Sequence, residues 1–206
     1  MLDIRENKTS GTEFLSGGEM GRLIQEFDWS KTSLGARDTW SESLKNVVSM
    51  MLVNRFPMLL WWGKEYIQIY NDAYIPILGM KHPSPGLGHP GWTCWEEIWD
   101  VIAPLVDSPF RGGPPSWVDD ILLKMNRNNR LEETHFCFGY SAVPDPTALN
   151  GIGGVLAPVI EITNEIISKR QMETLRKLGK AKCKSRVPYT ANALIGSCQR
   201  SPGKRQ

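Results

Sequence analysis

Between Pro57 and Tyr74 the chain permits few arrangements. Met58 to Trp62 is an unbroken apolar run of strand length. Tyr66-Ile-Gln-Ile-Tyr70 is a second, with one polar residue set inside it. Gly63-Lys-Glu65 separates the two as a turn. At Asn71 the pattern switches abruptly to a helix, and Asn71 stands at the helix N-cap. There its side-chain oxygen would take a free amide two or three residues on.

The rest of the chain has to fit around that hairpin. A length of 206 residues suits one domain with appendages, and 41% hydrophobic with 22% charged residues is ordinary for a globular chain. Eight Trp is high, and packing inside and between elements is the simplest use for them. The net charge of +2 conceals an asymmetry: seven of the 24 basic residues and none of the 22 acidic ones lie in 180–206. That end reads as a solvated basic tail. The acidic body gives no electrostatic reason to expect a specific nucleic-acid partner.

Cys94, Cys137, Cys183 and Cys198 form no Cys-x-x-Cys pair and no zinc-like spacing. Charged residues interrupt the N-terminus before any signal-peptide core develops. Asn54, Arg55 and Pro57 break the apolar stretch Val47 to Trp62, so no membrane span is expected. A reduced, cytoplasmic setting is the expectation.

Residues 1–17 are polar and read as a flexible N-terminus. Residues 18–56 read as a helical extension. In it, Met20, Leu23, Ile24 and Phe27 make one apolar stripe, and Leu44, Val47, Val48, Met51 and Leu52 make another, on a helix opened by Thr39 or Ser41. After the hairpin, Ala73 to Leu78 is a short helix closed by Gly79 as a left-handed C-cap. Lys81 to Gly91 is a Pro/Gly-rich loop, Trp95 to Val106 a helix, and Pro109 to Pro115 a second loop. Three strands follow, Ser116 to Met125, Glu132 to Val143 and Gly151 to Thr163, in an antiparallel meander. Thr163 or Asn164 then caps an exit helix over 164–180, with Ile167, Leu175 and Leu178 loosely on one side. Residues 181–206 form the basic, disordered tail. The fold class is α+β: a five-stranded antiparallel sheet with short helices on one face.

This order resembles the PAS domain at the front of many bacterial sensor histidine kinases. The similar stretches are Gly21-Arg-Leu-Ile-Gln-Glu-Phe-Asp-Trp29, Ser33-Leu-Gly35, Trp40-Ser-Glu-Ser-Leu44, Arg55-Phe-Pro-Met58, Trp61-Trp-Gly63, Tyr70-Asn-Asp-Ala-Tyr74, Gly79-Met-Lys-His-Pro83, Glu97-Ile-Trp99, Gly151-Ile-Gly-Gly154 and Glu161-Ile-Thr163. Together they cover about 18–179, with the PAS core over 57–163. The resemblance implies that Glu161, Ile162 and Thr163 form the junction relaying the state of the core to the exit helix. Two departures stand out. Ala36 replaces an expected Pro, and Pro158 lies in a strand that PAS folds place centrally, which implies a bulge or a weakened sheet. No phosphoacceptor helix or ATP-binding lid follows, so the chain reads as an input domain truncated, by a frameshift or early stop, before a kinase core.

The chemistry read from the residues is sparse, and catalysis by the chain itself is not expected. Cys94 with His89 is the best local nucleophile–base pair for a small-molecule hydrolase, yet no orienting carboxylate accompanies it. His82, His89 and His135 do not read as a metal or haem set, no Asn-Cys-Arg flavin segment exists, and Asp119-Asp120 marks a strand start. Gly151-Ile-Gly-Gly154 leads into a strand and lacks the Gly-Lys-Ser/Thr of a phosphate loop. No cofactor and no metal is expected. What remains is a ligand pocket between sheet and helices, with Trp62, Tyr70, Trp99, Phe136 and Phe138 as candidates, each equally consistent with a filled core. The expected function is a sensory module in two-component signalling, for an unidentified small ligand or partner, working as a homodimer or with a signalling partner through its helices. The alternatives are an input domain of a PP2C-type phosphatase or cyclic-nucleotide signalling protein, and the Cys94/His89 hydrolase.

Overall fold

The computed structural model describes residues 18–127 and 130–184. The expectations for 1–17 and for 185–206 lie outside that range. Helix α1 (Gly18–Glu26) begins where the Asp72 carboxylate receives the backbone N–H of Glu19 at 3.2 Å and of Met20 at 2.7 Å. A carboxylate at a helix start satisfies donors that have no partner within the helix. Gly18 sits there with φ +42°, and a Cβ would collide with that same carboxylate. Ser41 caps α2 (Glu42–Leu52), accepting the Leu44 N–H at 3.2 Å and donating its hydroxyl to Asp145 at 2.6 Å. Burial alone would raise the Asp145 pKa, but hydrogen bonds from Ser41 and Thr147 outweigh it and hold the carboxyl below its usual value.

Strands β1 (Met58–Trp62) and β2 (Ile67–Tyr70) form the expected hairpin, Leu59 opposite Tyr70 and Trp62 opposite Ile67. A 3-10 turn, Asp72–Tyr74, and α3 (Ile75–Leu78) follow. Gly79 has the positive φ expected of a C-cap, but its ψ of −126° lies outside the left-handed helical region. The helix expected over Trp95–Val106 starts later, as α5 (Trp99–Phe110), and a separate short helix, α4 (Gly91–Cys94), precedes it. Thus α5 runs past Val106 and absorbs Pro109, which reads in sequence as a breaker. A proline at 109 leaves the Leu105 carbonyl without its helical donor, and the Ser116 hydroxyl fills that vacancy at 2.7 Å.

Strands β3 (Ser116–Arg127), β4 (Arg130–Pro144) and β5 (Ile152–Glu161) complete one five-stranded antiparallel sheet of order β2-β1-β5-β4-β3. The fold is therefore α+β, with β5 at the centre as the PAS resemblance implies. Pro158 makes no bulge. The β4–β5 register is the same on both sides of it, and pairing lapses only where Gly139 and Tyr140 face Pro158 and Ala157. The β4–β5 irregularity is at Val143/Pro144 instead. On the other side Val159 donates to the Pro57 carbonyl at 2.9 Å, so the strand stays anchored to β1.

One sheet face carries Leu59, Trp61, Phe136, Phe138 and Val159 against Ile77, Ile98 and Ile102 of the helical side. The opposite face of β1–β2 is closed as well. Leu60 and Trp62 are 0% and 7% exposed, with α2 packed on β2. Farther along that face, Trp117, Leu122 and Leu131 are open to solvent. The compact unit extends to Ile166. Helix α6 (Thr163–Lys184) continues beyond it, starting one residue before the expected 164 and running four past Lys180. The disordered tail expected from residue 181 is thus helical in its first four residues.

Candidate functional site

Between the sheet and α3–α5 lies a cavity of about 30 Å³ bounded by Trp61, Tyr74, Trp95, Phe136, Phe138 and Tyr140, among others. That is room for a water molecule, and about a tenth of the space a drug-sized ligand needs. Of the candidates, Phe136 and Phe138 line it. Trp62 does not, because alternation along β1 sends it to the other face, over Gly153 and Gly154, where a Cβ at Gly153 would lie 2.2 Å from the Trp62 ring. Its neighbour Trp61 takes the inward place. Tyr70 shares the inward face but reaches past the cavity to the Nδ1 of His82 at 2.8 Å, and His82 Nε2 meets Glu19 at 3.2 Å. Trp99 stands at the edge, its ring 5.9 Å from that of Trp61 and perpendicular to it.

A buried amide organises the cavity wall. Gln68 is fully buried, and its Oε1 accepts both the Trp61 indole N–H at 3.1 Å and the Trp95 indole N–H at 2.7 Å. Its Nε2 donates to the Gly86 carbonyl at 2.9 Å and toward the Cys94 sulfur at 3.5 Å. One side chain thus satisfies two tryptophans that otherwise would each bury a bare donor. Sequence reading missed it, although a lone Gln between two Ile residues of a strand was the available signal.

Asn71 is also fully buried, but its side chain makes no cap. Its Oδ1 accepts the Met58 N–H at 3.0 Å, and its Nδ2 donates to the carbonyls of Met51, Asn54 and Phe56 at 3.2, 3.0 and 2.7 Å. It pins the end of α2 to the start of β1. The turn that follows Asn71 has no side-chain cap, while the neighbouring Asp72 caps the distant α1.

At the exit of the sheet, Glu161 accepts two hydrogen bonds from Arg127, at 2.7 and 3.1 Å. Arg127 also binds Glu132 through Nε at 3.0 Å and Nη2 at 2.9 Å. Thr163 donates its hydroxyl to Glu161 at 2.9 Å while accepting the His135 N–H at 3.0 Å. The Ile162 N–H donates to the His135 carbonyl at 2.8 Å. Burial would raise the Glu161 pKa, but Arg127 and Thr163 outweigh it and hold the carboxyl below its usual range. The three expected junction residues are therefore tied to β3 and β4 at once. Arg127 was the unread partner, because one Arg near a turn carries no sequence mark of what it faces.

Cys94 and His89 are not joined. The Cys94 thiol is buried against Gln68, and burial pushes its pKa up to about 11, which disfavours the thiolate a nucleophile needs. His89 turns its Nδ1 to the Leu87 carbonyl at 2.9 Å. His135 pairs with Asp120 at 2.6 Å. Among the described residues no group of three His, Cys, Asp or Glu is placed to hold a metal, and no helix is long and apolar enough to cross a membrane.

No family model and no curated protein matches the chain. Among solved structures it is similar to the PAS domain of Bordetella pertussis BvgS at 15% identity, over 66% of this chain and 99% of that one, TM-score 0.42. A PAS domain from Colwellia psychrerythraea matches at 12% identity over 59% and 98%, TM-score 0.44. A variant of RsLOV matches at 12% over 59% and 68%, also at 0.44. At such distances the fold rests on the strand order and packing described above.

Proposed function

We propose that this chain is a PAS-type sensory and interaction module of a two-component, histidine-kinase type signalling protein, acting in the cytoplasm and without catalysis of its own. The observation that carries this reading is the junction at Glu161–Thr163. The central strand ends in a carboxylate held by Arg127 of β3, and the first turn of α6 begins on a hydroxyl held by the backbone of β4. A shift between β3, β4 and β5 changes those contacts together, so the start of α6 follows the packing state of the sheet. That is population shift between two arrangements of one junction. Along α6, Ile167, Leu175 and Leu178 are exposed and share one side, an apolar seam suited to a second copy or a partner helix.

Hydrogen exchange on the whole protein tests the coupling. Arg127→Ala should raise amide exchange at Ile162 and Ile166, whose N–H groups are bonded to the His135 and Ile162 carbonyls, while β1 and β2 stay protected. Unchanged exchange in that first turn would remove the relay from the reading.

A further inference from the structure

The core cavity is too small for an organic ligand, and the chain's larger concave sites lie at its surface. We infer that one of them, a cleft between the β1–β2 turn and α5, binds a planar aromatic carboxylate; this rests on the sensory reading and supplies its ligand. The cleft measures about 430 Å³, within the range of small-molecule sites. Tyr66, Trp92, Trp99 and Phe110 wall it, with the Tyr66 ring 5.2 Å from Phe110, 5.7 Å from Trp99 and 6.3 Å from Trp92. Trp92 is 40% exposed, and an indole left open beside three other rings is a stacking surface. Tyr66 is held there at φ +49°, the only non-glycine among the described residues with a positive φ. A strained residue at a concave aromatic site points to function.

Charge selects the ligand. Lys64 and Arg111 border the cleft, with Asp107 as the carboxylate on its lining. Asp107 is already engaged, by the Tyr66 hydroxyl through Oδ1 and by Arg111 through Oδ2 at 3.0 Å. Lys64 makes no ion pair among the described residues, and its neighbour Glu65 lines a different groove. The rim thus carries one unmatched positive charge above a floor of rings, which suits an arene bearing one anionic group. Trp99 is shared between this cleft and the core through Trp61, so a ligand stacked outside bears on the cavity wall.

The test titrates the full chain with indole-3-acetate and benzoate, alongside their carboxamides and a neutral oligosaccharide, followed by ligand-observed NMR and tryptophan fluorescence. The carboxylates should saturate, and the carboxamides should bind about threefold to fivefold more weakly, the scale of one exposed charge contact. Trp92→Ala should abolish binding, and Lys64→Gln should erase the preference for carboxylate. The cleft assignment is overturned if neither carboxylate saturates, if carboxamides or the oligosaccharide bind as well, or if binding survives Trp92→Ala. Binding that survives that substitution moves the ligand elsewhere and leaves the sensory reading standing. Binding in the cleft with no change of exchange at Ile162 and Ile166 keeps the cleft and sinks the relay.

Discussion

Replacing Asn71 separates two physical roles for one residue. As a helix cap, Asn71 would tolerate Asp, because the two are equivalent at that position. As the buried pin seen here, it uses its amide nitrogen to donate to three carbonyls and its oxygen to accept one N–H. Asn71→Ala leaves the Met58 N–H and the Phe56 carbonyl without the partner that a fully buried side chain gives them. At about 1–3 kcal/mol for each buried group left bare, partly relieved by relaxation, the loss should be about 2–4 kcal/mol. For a unit of this size that lowers the melting temperature by about 5–12 °C. Asn71→Asp should be worse, about 4 kcal/mol or more, because it turns a carboxylate toward three carbonyl oxygens in a buried site. Urea denaturation at neutral pH, with thermal melts by circular dichroism, reads both variants. An Asp variant within about 0.5 kcal/mol of wild type would refute the pin and restore the cap.

Two further outcomes follow from the titrating groups. Because the Glu161 carboxyl is held below its ordinary value in the fold, its stabilisation is full above the unfolded value of about 4.3 and is lost as pH falls through the lower folded value. Glu161→Gln should therefore flatten the acid limb of the stability profile, and a limb as steep as wild type would contradict the Arg127 bond. Cys94, with its pKa near 11, has roughly one thiolate per thousand molecules at pH 8. Mass-mapped iodoacetamide labelling should reach Cys94 only in denaturant, and prompt labelling in the native protein would return the hydrolase reading to consideration.

The strand pattern was legible because alternation and turn residues act locally, and the hairpin and all three later strands lie close to where periodicity puts them. Trp61 and Trp62 show where that signal ends. Both faces of β1 are covered, so every residue from Leu59 to Trp62 is buried and nothing in the sequence marks which faces the cavity. Helix α5 hid behind Pro109, whose cost is met by a serine hydroxyl seven residues later, across a turn whose geometry the sequence does not show. Asn71 and Arg127 were unreadable for the same reason, since their roles depend on partners brought together by the fold, whereas Gln68 carried a signal, one amide between two Ile, but no mark of its partners. Phe136 and Phe138 share the inward side of β4 with Tyr140, although burial on both faces blurs the alternation around them.

The anchoring of α1 and α2 bears on how this protein can be cut. Asp72 holds the first helix from 53 positions away, Ser41 reaches Asp145, and Asn71 grips the end of the second helix. A fragment trimmed to begin at Pro57 would uncover Leu60, Trp62 and Ile69 and strand three polar side chains meant for the missing segment. A version of this domain that keeps all three anchors starts no later than Gly18.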